Sequence, residues 1–201
     1  MTGGRAIRAE ILKLLSLPAT YFTLLGTLGV SVVLAAAFSR HGVSLVGYAQ
    51  AGFIVLGVIA VTSEYSGGQI HRTLTAMPRR ITQQLAKMAA LLTVALPVAI
   101  MTALAIGPWS DAVGASAYLA LTTILSAAVA TVLRWSVPAV AGLLGYYFIA
   151  GPLLRDRATF AAYLPDAASH DLRALGGSAV VLGWVLVAVA ISTTTFHRRD
   201  A

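Results

Sequence analysis

Six stretches of about 20 mostly apolar residues, long enough to cross a bilayer as helices, dominate this chain of 201 residues. They fall at 19–38, 46–63, 84–107, 112–133, 136–154 and 174–196. At a rise of about 1.5 Å per residue, such a run matches the hydrocarbon core in length. Membrane β-strands would instead alternate polar and apolar positions over short segments, and these runs do not. Only 10% of the residues are charged and 58% are hydrophobic, with a mean hydropathy of +0.84. A soluble domain carries about 25% charged residues, so this chain lacks the charge to cover a water-facing surface. The pattern predicts an all-α integral membrane protein of six transmembrane helices forming a single domain over 1–201.

Loop charge predicts the orientation. Placing the N-terminus inside puts Arg5, Arg8, Lys13, Arg72, Arg79, Arg80, Lys87, Arg134, Arg198 and Arg199 on the cytoplasmic side. Arg40, Arg155, Arg157 and Arg173 fall outside, balanced by Asp111, Asp156, Asp166 and Asp171. Cytoplasmic loops collect Lys and Arg, so both termini are expected in the cytoplasm. The same bias accounts for the net charge of +7 without nucleic acid, whose binding needs basic residues clustered on one folded face. Ala35-Ala36-Ala37 resembles a processing site, but the preceding apolar run is longer than the roughly 7–15 residues of a signal-peptide core. Without cysteine there is no disulfide and no thiolate metal site.

Three pieces lie outside the spans. In 4–17, Ile7, Ile11, Leu14 and Leu15 share one helical arc opposite Arg5, Arg8 and Lys13, with Leu12 straying among the charges. That pattern predicts an interfacial helix lying apolar side down in the headgroup layer, stopped by Pro18. In 64–80, Gly67-Gly68 loosens a helix start and Pro78 ends it, while Ile70, Leu74 and Met77 form one stripe of a short cytoplasmic helix. The outer stretch 155–173 reads as a small amphipathic cap with Phe160, Tyr163 and Leu164. Its Asp166 and His170 share a helical spacing but are too few for a metal site.

The spans offer little chemistry. Lys87, near the inner end of the third, is expected to snorkel to the interface. Pro97 should kink that span or free a carbonyl. Ser116 and Ala120, and Ala179 and Gly183, have spacings that permit close helix contact. Trp109 and Trp135 sit at span ends as interfacial anchors, and Trp184 lies mid-span, where packing is its expected role. No intramembrane acid, metal cluster or nucleophile–base pair suggests a self-powered carrier or a membrane enzyme.

Ser66-Gly67-Gly68-Gln69, with Arg72 beyond, resembles the signature loop of ABC ATPases. It has no fold to work in: the chain lacks a GxxxxGK[ST] phosphate cradle, and no soluble stretch here approaches the roughly 50 residues of a domain. The wider frame is more informative. Glu64-Tyr65, Gly68, Ile70, Thr73-Leu74, Pro78 and Arg79-Arg80, after a second apolar span, resemble the E-Y-x-x-G-T-I-x-x-T-L-x-x-x-P-x-R pattern of bacterial type-2 ABC exporter permeases, with Gln69 where threonine is usual. Glu10 and Lys13, following Arg8, look like the E-x-x-K that often precedes the first span in that family.

The resemblance implies a permease subunit in the cell (plasma) membrane, with 64–80 as the coupling segment that docks a separate cytoplasmic ABC ATPase. The 4–17 helix would flank that contact. ATP and magnesium would be bound by the partner, this chain holding no cofactor, and a second permease copy or paralogue would complete the transport path. Beside it stands another reading, a membrane anchor or assembly protein with no transport role. A third, an integral membrane enzyme, would depend on Asp166, His170 or Asp171.

Overall fold

Leu17 alone separates the first two helices of the computed structural model. The Leu17 N–H reaches back to the Leu14 carbonyl at 3.3 Å, and Pro18 opens the next helix at the position where its missing N–H costs nothing. The structure describes residues 3–38, 45–66, 80–155, 163–166 and 175–199. Its regular secondary structure is helical, with no strand among the described residues. The helices are α1 (Gly3–Ser16), α2 (Pro18–Phe38), α3 (Val46–Ser66), α4 (Arg80–Ile106), α5 (Ala112–Leu133), α6 (Ser136–Arg155) and α7 (Leu175–Arg199).

Five of them, α2 to α6, are long and apolar enough to cross a membrane. The sixth expected span falls on α7, within which Ala179–Thr195 is a shorter apolar helical stretch among the described residues. α4 starts at Arg80, earlier than the apolar run suggests, and continues through Pro97 without a break in helical assignment. Trp109 and Trp135 lie between helices and are strongly exposed, as expected of interfacial anchors.

α5 is the centre of the bundle, packed against α3, α4, α6 and α7. α2 packs on α3 and α4 and leaves most of its surface outward. The core joins Phe53, Ile54 and Val58 of α3, Leu91 of α4 and Leu119 of α5. Ser116 and Ala120 are buried on α5, but Ala179 and Gly183 point outward, so only the first small-residue pair lies within this chain's core. Buried hydroxyls on α5 turn to their own helix: Thr122 donates to Tyr118 O at 2.8 Å, Thr123 to Leu119 O at 3.0 Å and Ser126 to Thr122 O at 2.7 Å. This satisfies polar atoms where no water is at hand. Across the α3–α5 contact the Tyr118 hydroxyl donates to Gln50 Oε1.

α5 and α6 are joined by Arg134 and Trp135 alone. Such a turn requires a reversal of backbone hand, and Arg134 supplies it with φ 61°, its N–H bonding Ala130 O at 2.7 Å. Left-handed geometry is uncommon for a residue with a Cβ. α6 changes winding in its middle, where Tyr146–Ala150 form a π-helical turn.

Candidate functional site

Glu64 lies two residues before the end of α3. A carboxylate there meets the negative end of the helix dipole in a bundle that removes it from water, so it needs cations. It has two. Lys13 of α1 donates to Glu64 Oε1 at 2.6 Å, and Lys87 of α4 donates to Oε2. The side chains of Glu64 and Lys87 are 3% and 5% exposed, that of Lys13 25%. Lys87 therefore does not snorkel. It shares the buried stripe of α4 with Gln84 and Leu91, at helical spacing, and that rotation delivers it to Glu64.

Glu10, one turn before Lys13 on α1, is buried beside the same group. Burial pushes its carboxyl above the usual value; Lys87 and Lys13 pull it down, and Glu64 pushes it up. Two acids and two bases from three helices thus form one compact cluster. Around it, Gln84 Nε2 donates to Thr131 Oγ1 of α5 at 3.2 Å, tying α4 to the central helix. Gln83 is fully buried, and its side-chain amide has no hydrogen-bond partner among the described residues.

The position of α1 differs from the expected one. Ala6, Glu10 and Leu14 are buried, Ile7 and Ile11 pack against the core, and Leu12 and Leu15 are exposed beside Arg5 and Arg8. The apolar arc faces α4 rather than lipid, because Glu10 and Lys13 on the same side seek Glu64. Of the predicted coupling residues, Glu64 is brought into the cluster with Glu10 and Lys13. Tyr65 and Arg80 lie at the helix ends flanking the segment. Gly68, Ile70, Thr73, Leu74, Pro78 and Arg79 fall outside the described residues, and Arg8 takes no part in the cluster.

Sequence reasoning missed Lys87 as a partner, although a signal was present. A lysine within a span belongs with an acid, and Glu64 stands at the other end of the same connection.

A second polar contact lies at the C-terminal end of α6. Asp166 is buried and accepts from Arg155 Nη2 at 2.5 Å and from the Tyr146 hydroxyl at 3.1 Å. Gly151 makes room for it: a Cβ there would stand 2.6 Å from Asp166 Oδ2. The Trp184 indole N–H donates to the Tyr163 carbonyl at 2.8 Å, so this tryptophan fastens the short 163–166 stretch instead of merely packing mid-span. The paired Asp166 is committed to Arg155, His170 lies outside the described residues, and no group of three possible metal ligands occurs among the described residues.

Comparison with known proteins gives no match, either to a family model or to a curated protein. The fold and the cluster together define a helical multi-pass membrane protein with a charge cluster joining α1, α3 and α4.

Proposed function

We propose that this chain is the membrane-spanning permease subunit of an ATP-driven exporter, moved by a separate cytoplasmic ATPase that docks on 64–80. In this reading α7 is the sixth span and both termini lie in the cytoplasm of a cell whose plasma membrane holds the protein. A second copy or paralogue completes the path. The observation that carries the reading is the Glu64 cluster. It gathers α1, the end of α3 and the first turns of α4, which are the two roots of the segment and the helix said to flank it.

Force applied to a short surface segment moves a bundle only if the segment's roots are fixed to the spans, and buried ion pairs fix direction as well as distance. Gln84 and Thr131 extend the attachment to α5, the helix every other span packs around except α2. A chain without a phosphate cradle can then work by rocking against a partner subunit.

The test is purification from native membranes under mild detergent. An ATP-binding chain is expected to co-purify, with hydrolysis that depends on it and falls in Leu74→Asp. Recovery of a partner without nucleotide binding, with ATP-dependent transport absent, would support an anchor or assembly role instead.

A further inference from the structure

The four charges of the Glu64 cluster divide between a part that can leave and a part that cannot. Lys87 belongs to α4, a spanning helix locked against α5, and its side chain is almost wholly enclosed. Removing it from Glu64 would strand an ammonium in the protein interior, at a cost well above that of an exposed pair. Lys13 is different. It sits in the last turn of α1, a quarter of its side chain is exposed, and a four-carbon stem lets its ammonium reach water by rotamer change.

Charge balance follows the same division. Glu10 and Lys13 ride together on α1, whereas Glu64 and Lys87 stay on α3 and α4. If α1 lifts away, each half keeps one acid and one base. No buried carboxylate or ammonium is left uncompensated on either side, and Glu10 regains the water that burial denies it.

The rest of the attachment is a single apolar face laid against α4. α1 has 14 residues, a length at which an isolated helix is marginal and depends on its packing. Its inward face offers Ala6, Ile7, Ile11 and Leu14, and its opposite face holds the exposed Arg5 and Arg8. Leu17 is the single non-helical residue before Pro18, a natural hinge point.

We propose that the Lys13–Glu64 contact is a releasable latch: α1 undocks from the bundle as a charge-balanced unit with Glu10 and Lys13, while the Glu64–Lys87 pair stays closed beneath it. The latch works within this chain alone, whether or not an ATPase docks on 64–80.

The absence of native cysteine allows clean spin labelling of the full chain. Labels at Ala9→Cys and Leu133→Cys, both exposed and outside the cluster, report the α1–α5 distance in lipid nanodiscs. The unsubstituted cluster should give a single dominant short distance. Lys13→Gln should shift the majority to a longer, broader distribution, and Lys13→Arg should restore the short one. An unchanged distribution in Lys13→Gln, or equal detachment in Lys13→Arg, overturns the latch. Amide exchange of the protein with Lys13 intact gives a second readout should Lys13→Gln fail to fold. The amides of α1 should open in a step separate from and easier than α3–α5. Exchange of α1 only with global unfolding overturns the proposal.

Discussion

Gly57 of α3 lies against the main chain of α5, where a Cβ at Gly57 would stand 2.3 Å from the Thr123 carbonyl oxygen and 3.1 Å from the Ala127 nitrogen. Backbone cannot step aside as a flexible side chain can, so glycine sets the separation of the two helices at the heart of the bundle. Gly57→Ala should destabilise the protein by about 1–3 kcal/mol, as overpacking of a close-packed core does. Gly142→Ala, where the added carbon meets nothing within 4 Å, should be neutral or mildly stabilising through helix propensity. Thermal unfolding of both variants in one detergent makes the comparison.

Glu64 accepts a charged hydrogen bond from each of two ammoniums, so its loss costs more than one contact. Glu64→Gln should destabilise by about 3–5 kcal/mol, the range for breaking a buried ion pair by removing one partner. Adding Lys87→Met should recover part of the loss, since the stranded charge then disappears with its partner. A double-mutant cycle read by chemical denaturation gives the coupling energy; additive effects would place the two side chains apart.

The pH dependence of Glu10 has a definite sign. Its folded carboxyl is held above the usual value near 4.5, chiefly by burial, so in the intervening window the folded state keeps a proton that the unfolded state has released. Stability therefore falls as pH rises through that window and levels off above the folded value. The neighbours Lys87, Lys13 and Glu64 face the group and set its position. Subtracting the Glu10→Gln curve from the unsubstituted one isolates the effect in melting experiments from below 4.5 upward. The difference should decline and then flatten; a rise would reverse the sign and remove burial as the cause.

Asp166 fastens the 163–166 stretch to α6 through Arg155 and Tyr146. Asp166→Asn should speed amide exchange of Tyr163, Leu164 and residue 166 by about tenfold or more, equivalent to about 1.4 kcal/mol of local opening. Gly151→Ala should act in the same direction, because the new Cβ meets the carboxylate. Trp184 emission, read in a Trp109→Phe/Trp135→Phe background, should change with both as its bond to Tyr163 loosens.

Much of the fold was legible because hydrocarbon imposes so few solutions. Apolar runs gave α2 to α6 within a few residues, Pro18 marked the α1–α2 break, and Arg134-Trp135 marked the tightest reversal. What the sequence hid was rotation. Lys87 lies close enough to an interface for depth alone to suggest snorkelling, but its side chain is aimed by the buried stripe it shares with Gln84 and Leu91. The same holds for α1. Its apolar arc is visible in Ile7, Ile11 and Leu14, yet whether that arc meets lipid or protein depends on Glu10 and Lys13 having a buried partner. The Asp166–Arg155 contact was less legible still, since the sequence between them carries no regular periodicity.

The central claim is that cytoplasmic ATP hydrolysis is transmitted through the segment rooted at Glu64. A photo-crosslinking amino acid at position 74, in place of Leu74, tests it in intact native membranes. The expected product is an adduct between this chain and an ATP-binding protein exposed at the cytoplasmic face, reduced in Glu64→Gln. Adducts confined to lipid, or to a protein on the outer side of the membrane, would contradict the claim.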